Sequence, residues 1–107
     1  MDHYDELETR SAEVREAALM AALPGQVAHA KAKAPGYREM LADVDAAQVT
    51  SRAALAALPV TRKTDLMERQ AVAPPFGGLD ALAAGSAAHF FASPGPIYEF
   101  EAARPGF

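Results

Sequence analysis

Nine residues, Leu58-Pro59-Val60-Thr61-Arg62-Lys63-Thr64-Asp65-Leu66, constrain this chain more than any other stretch. Pro59 stops a helix that reaches it, because proline has no N–H to donate and its ring crowds the preceding turn. Ser51 is a good helix cap, so a short helix is expected over 52–58, with Leu55 and Leu58 on one side at i, i+3. Thr61 is placed to cap the next helix, expected over 62–70 with Leu66 and Met67 turned inward. Two short helices joined by Pro-Val-Thr make a tight corner that sets the angle between its neighbours.

The chain before this corner reads as helix. Met1–Arg10 is polar, with Tyr4 and Leu7 as apolar anchors, and is expected to lie as an arm on the helices behind it. Ser11 is a cap, and Glu13 sits in the first turn, where the helix dipole favours negative charge. Leu19, Leu23, Val27, Ala30 and Ala34 then recur at helical spacing. Pro24-Gly25 interrupts the series; proline inside a helix costs about 3 kcal/mol but is tolerated in a first turn. The reading is two consecutive helical pieces, 11–23 and 25–34, ended by Ala34-Pro35-Gly36. One more short helical turn carries Tyr37, Met40 and Leu41, and Val44 and Val49 can plug back into the core from the connector that follows.

Beyond Gln70 the character changes. Ala73-Pro74-Pro75-Phe76-Gly77-Gly78 denies regular structure. Leu79–Ala84 reads as one weak helical turn. Short strands are expected over 88–92 and 97–101, separated by Ser93-Pro94-Gly95-Pro96, and they can form a hairpin. Two strands alone are marginal in water, and an apolar unpaired edge invites another strand. The expected fold class is mainly α: a small bundle of short helices, then a Pro/Gly-rich loop and one or two short β-strands. Residues 1–70 form the helical segment, 71–87 a linker, and 88–107 a strand-loop-strand unit that reads as the start of a truncated domain.

Composition limits what such a chain can do alone. Of its 107 residues 26 are alanine, against nine Leu, six Val, one Ile, five Phe and no Trp. A buried Leu contributes on the order of 1.5–3 kcal/mol, and Ala much less, so marginal stability and a need for a partner surface follow. The absence of Cys excludes disulfides, thiolate metal sites and a Cys nucleophile, and fits a reducing compartment. The net charge is −4, with a dilute basic excess over 29–70, too thin and too poor in aromatics for a nucleic-acid footprint. No apolar run is long enough to span a membrane. The acidic N-terminus argues against a targeting peptide, so the expected location is cytoplasmic.

Chemistry-bearing residues are scattered. His3, His29 and His89 lack metal-ligand spacing. His29, Lys31 and Lys33 read as a solvated helix face, and Ser51 and Thr61 as caps, not nucleophiles. Lys63 reads as a first-turn surface lysine or a partner of Asp65. Asp5, Glu6, Glu8 and Glu13 have no cleft between them to make a glycosidase-type pair. Phe90-Phe91 reads as core or interface.

Leu7-Glu8-Thr9-Arg10, Ala34-Pro35-Gly36-Tyr37, the 58–66 stretch and Pro75-Phe76-Gly77 occur in that order. Their succession resembles the opening of the phenylacetate–coenzyme A ligase family, a branch of the adenylate-forming acid–thiol ligases; Leu-Pro-x-Thr-x-Lys-x-Asp-Leu is its most specific part. The resemblance implies a helical lead-in to a large N-terminal domain. It implies a parent reaction in which ATP and Mg²⁺ activate a carboxylic acid, such as an aryl acid, to an acyl-adenylate that passes to coenzyme A. It also implies a phosphate-binding loop near Ala92–Glu99, where Ser93 and Gly95 stand at suitable positions. Pro94 and Pro96 remove two N–H donors there, and Glu99 stands where a cation would help. The fragment is therefore expected to hold no cofactor and to be inactive, with the remainder of a parent ligase as its partner. The alternative is a stand-alone helical interaction module, dimerising through Phe90, Phe91 and Ile97.

Overall fold

The computed structural model describes residues 2–83 and 85–103. In chain order it has a 3-10 turn (Glu6–Thr9), α1 (Ala12–Lys33), α2 (Pro35–Met40), a second 3-10 turn (Ala46–Gln48), α3 (Arg52–Ala56), α4 (Lys63–Val72), β1 (Ala87–Ala92) and β2 (Tyr98–Ala102). The mainly helical class with a two-stranded antiparallel hairpin is as expected.

α1 departs from the expected pair of helices. It runs unbroken through Pro24, capped at Ser11, whose hydroxyl accepts the Val14 N–H at 3.2 Å. Leu23 precedes Pro24 and Val27 follows it, yet both pack into one apolar cluster with Leu41 and Val49. That shared burial keeps the two halves in line despite the bond that proline cannot donate. At the other end, Arg38 donates to the carbonyls of Lys31 (3.2 Å) and Ala32 (2.8 Å), and the Lys31 ammonium reaches the Val44 carbonyl. Arg38 places its charge at the negative end of the helix dipole and satisfies carbonyls that the last turn leaves open, while Lys31 ties that turn to the connector. Pro35 opens α2 at a position where a missing N–H costs nothing.

The core is small. Val27, Leu41 and Val49 are its buried members, with Leu23, Tyr37, Val44, Ala54 and Leu58 packed against them. Val44 and Val49 plug in as expected. Other expected anchors do not: Tyr4 and Leu7 are exposed, because the N-terminal turn is held by its own polar groups. Asp5 Oδ1 accepts the Leu7 N–H at 2.8 Å, and Glu8 Oε2 accepts the Tyr4 N–H at 2.7 Å. Met67 and Leu55 are also incompletely buried, each 39% exposed.

At the Pro59 corner, Ser51 caps α3 by accepting the Ala54 N–H at 3.1 Å. Thr61 is not the cap of α4. The helix starts one residue later, with Arg62 at the cap position and Asp65 Oδ2 accepting the Arg62 N–H at 3.2 Å. A carboxylate three residues inside the helix thus supplies the reach-back bond, where charge and dipole agree. The expected helical turn over 79–84 is absent: its described residues, 79–83, are irregular, and Ala84 lies outside the described residues, as do Arg104–Phe107.

Two contacts tie the C-terminal half to the helices. The Gly36 N–H donates to the Gly78 carbonyl at 2.7 Å, an approach that a side chain would block. A Cβ on Gly36 would lie 2.8 Å from Leu79 Cδ2 and 3.0 Å from the Gly78 oxygen. Gln70 is the buried polar side chain among the described residues, and its amide grips β2. Its Nε2 donates to the Tyr98 carbonyl at 2.9 Å, and its Oε1 accepts the Tyr98 N–H at 3.0 Å. In the hairpin, Phe90 faces Phe100, Phe91 faces Glu99 and Ala92 faces Tyr98, with a bulge between Ala87 and His89.

Three outcomes follow. Gly36→Ala must displace backbone as well as Leu79, and thermal denaturation should show a loss of roughly 1–3 kcal/mol. Gln70→Ala removes both bonds to Tyr98 and should cost roughly 1–3 kcal/mol, with faster hydrogen exchange at the Tyr98 amide. Arg52 donates to Glu16 at 2.5 and 2.7 Å, and this hydrogen-bonded guanidinium, aided by its charge, holds the Glu16 carboxyl below its ordinary range. A carboxyl pKa depressed by folding adds stability above its unfolded value and loses it as pH falls through the folded value. Glu16→Gln should therefore flatten the acid limb of the stability–pH curve and leave thermal stability below that limb unchanged.

Candidate functional site

A loop with anion-binding potential meets a cation at the turn between β1 and β2. Ser93 closes this turn: its N–H donates to the Ile97 carbonyl at 2.9 Å, and its hydroxyl accepts the Ile97 N–H at 3.1 Å. Gly95 takes a positive φ of 85°, a conformation that L side chains rarely adopt. A Cβ there would stand 3.5 Å from the Lys63 ammonium. Lys63 is the first residue of α4, so the start of that helix and the tip of the hairpin come together. Nothing in the sequence spacing of 63 and 95 signals this meeting, which depends on Gln70 holding β2 against α4.

The donors present do not suit a triphosphate. The Ser93 hydroxyl is committed to its own turn, and Pro94 and Pro96 carry no N–H. That leaves the Gly95 N–H and the Lys63 ammonium, short of the run of amides and hydroxyls that cradles phosphate oxygens. Glu99 faces Phe91 across the strands on the opposite face from Phe90 and Phe100.

Beside the turn, Tyr37, Leu66, Gln70, Phe76, Tyr98 and Phe100 line an open cleft of about 320 Å³ between α4 and the hairpin. Phe76 is its centre, with ring centroids 5.4 Å from Phe90 and 5.0 Å from Phe100. These are aromatic packing distances, so the cleft wall is a packed cluster with little freedom to reshape. Its one polar amide, that of Gln70, is already bonded to Tyr98.

The other sequence candidates lie apart. His3 is 3.9 Å from Glu6 on the N-terminal turn, and His29 lines a second cleft, of about 240 Å³, with Tyr37, Leu79 and Phe100. His89 meets Glu101 across the hairpin at 2.7 Å. Among the described residues, no three His, Asp or Glu side chains gather as metal ligands. Asp65 is engaged with the Arg62 N–H. Phe90 and Phe91 point to opposite faces of β1, Phe90 toward Phe76 and Phe91 beside His89 at 6.1 Å.

No protein-family model matches the chain, and no curated protein does. Solved structures do. The chain is similar to 2-hydroxyisobutyryl-CoA ligase in the postadenylation state with 2-HIB-AMP, at 31% identity over 81% of this chain, with a TM-score of 0.73. It matches the same ligase with R3-HIB-AMP at 30% identity over 84% of the chain, with a TM-score of 0.75. With 2-HIB-AMP and CoA in the thioesterification state, the values are 27%, 89% and 0.75. These matches cover 19%, 20% and 21% of the ligase, so this chain spans about a fifth of its length. Its structural neighbours are thus adenylate-forming acyl-CoA ligases, and among the described residues no helix is long and apolar enough to cross a membrane.

Proposed function

We propose that these residues form the helical lead-in of an adenylate-forming acyl-CoA ligase of the phenylacetate–CoA ligase kind, acting in the cytoplasm. The observation that carries this reading is identity of 27–31% to a CoA ligase over 81–89% of the chain, with TM-scores of 0.73–0.75. The 58–66 stretch supports the finer assignment. In the parent reaction, ATP and Mg²⁺ activate a carboxylic acid, and coenzyme A accepts the acyl group. In this reading the residues contribute scaffold. The helices hold the hairpin by Gln70, the remainder of the parent ligase is the partner, and Ser93 and Gly95 stand at a weakened phosphate-loop position with Lys63 beside it.

No catalytic step is assigned to the chain, because the turn offers too few donors for a triphosphate and the clefts hold no poised acid, base or nucleophile among the described residues. Two assays test the reading. The 107 residues alone, given MgATP, coenzyme A and phenylacetate, should form no acyl-CoA and release no AMP. The native polypeptide that carries them, sized by mass spectrometry, should be several-fold longer and should release AMP in a manner dependent on acid and coenzyme A. Acyl-CoA formation by the short chain would overturn its scaffold role. A long native polypeptide without any acid-dependent AMP release would overturn the ligase reading.

A further inference from the structure

The turn between β1 and β2 stands where the likeness to adenylate-forming ligases implies a phosphate-binding loop, and its backbone can be counted donor by donor. A phosphate cradle is built from successive N–H groups free to converge on one anion. Over residues 93–98 the Ser93 N–H donates to the Ile97 carbonyl at 2.9 Å. Pro94 and Pro96 have no N–H. The Ile97 N–H donates to the Ser93 hydroxyl at 3.1 Å, and the Tyr98 N–H donates to Gln70 Oε1 at 3.0 Å. Within this span Gly95 keeps the uncommitted N–H, and it lies between two prolines.

Opening the turn does not recover the cradle. The Ser93 hydroxyl also donates to the Ile97 carbonyl at 3.3 Å, so both of its roles are spent inside the turn. Freeing the Tyr98 N–H strips the buried Gln70 amide of a partner, and a buried polar group left unpaired is costly. Even a fully opened turn alternates donor, proline, donor, proline, donor from Ser93 to Ile97, so no two adjacent residues there both carry an N–H. No rearrangement of the backbone changes that alternation. Charge does not make up the difference. Lys63 brings one ammonium to the tip beside Gly95, while Glu99, just past the turn, adds a carboxylate where a triphosphate needs cations.

We infer that this turn does not hold the phosphates of ATP. It is a closed structural turn, and the parent ligase grips the triphosphate with N–H donors and cations that lie elsewhere in its sequence. Ser93 then serves to tie the ends of the two strands together, and Gln70 to tie β2 to α4. This division of roles rests on the ligase reading of the parent.

The native polypeptide that carries these residues, given MgATP, provides the test. Amide hydrogen exchange is followed residue by residue over 93–98. Before nucleotide is added, Ser93, Ile97 and Tyr98 should exchange at least tenfold more slowly than Gly95, because their amides are bonded. Saturating MgATP should alter the Gly95 rate less than twofold, while slowing amides elsewhere in the polypeptide tenfold or more. Photolabelling with ATP that carries an azidoanilide on its γ-phosphate should mark peptides other than the one spanning 93–99, in a manner competed by MgATP. Tenfold slowing of the Gly95 amide by MgATP overturns the inference, and so does competed label concentrated on the 93–99 peptide. Fast exchange at Ser93 and Ile97 without nucleotide overturns it too, since an open turn has those donors free. A polypeptide in which MgATP slows no amide anywhere overturns the ligase reading, and the inference with it, whereas binding at the turn overturns the inference and leaves the ligase reading standing.

Discussion

One amide side chain joins the two halves of this molecule. Gln70 projects from α4 and bonds both backbone groups of Tyr98, so the helical part and the hairpin are linked by a donor and an acceptor aimed at one residue. Its burial makes the grip firm, because water does not compete at 7% exposure. The Gly36–Gly78 contact supports the same junction from α2. The placement of the Lys63 ammonium over Gly95 and the aromatic cluster around Phe76 both depend on that junction.

The junction matters more because the apolar core is thin. Val27, Leu41 and Val49 are its buried centre, and the apolar residues packed against them, Leu23, Tyr37, Val44, Ala46, Ala54 and Leu58, are themselves only partly buried. In such a chain polar and backbone contacts decide geometry that a larger core would decide by volume. Arg38 on the carbonyls that end α1 and Asp65 on the start of α4 are of this kind. The radius of gyration, 15.9 Å, exceeds the roughly 13 Å expected for a compact chain of this length.

Much of the helical part was legible because caps and breakers are local signals. Ser11 and Ser51 cap where their sequence positions suggest, a helix ends at Ala34-Pro35-Gly36 as expected, and the 88–92 and 97–101 strands lie within a residue of those found. Pro24 misled, since continuity through it comes from Leu23 and Val27 sharing one distant cluster, and local sequence carries no record of that. Thr61 lost the cap to Arg62, one position on, because the Asp65 carboxylate reaches back to the Arg62 N–H and fixes the helix start there. The candidate site was harder. Ser93 and Gly95 could be named from the turn, but the approach of Lys63 and the role of Gln70 arise from a pairing 28 residues apart in sequence for Gln70 and Tyr98.

The thin core also bears on how such a chain diverges. Where few side chains are buried, few positions are dictated by packing, and replacements elsewhere leave no cavity behind. Gly36 and Gly77, hemmed in by backbone at 3.0 Å, and Gln70 belong to that short constrained set. The rest of the surface is free to drift. A TM-score of 0.75 to a CoA ligase at 27% identity accords with so short a constrained set.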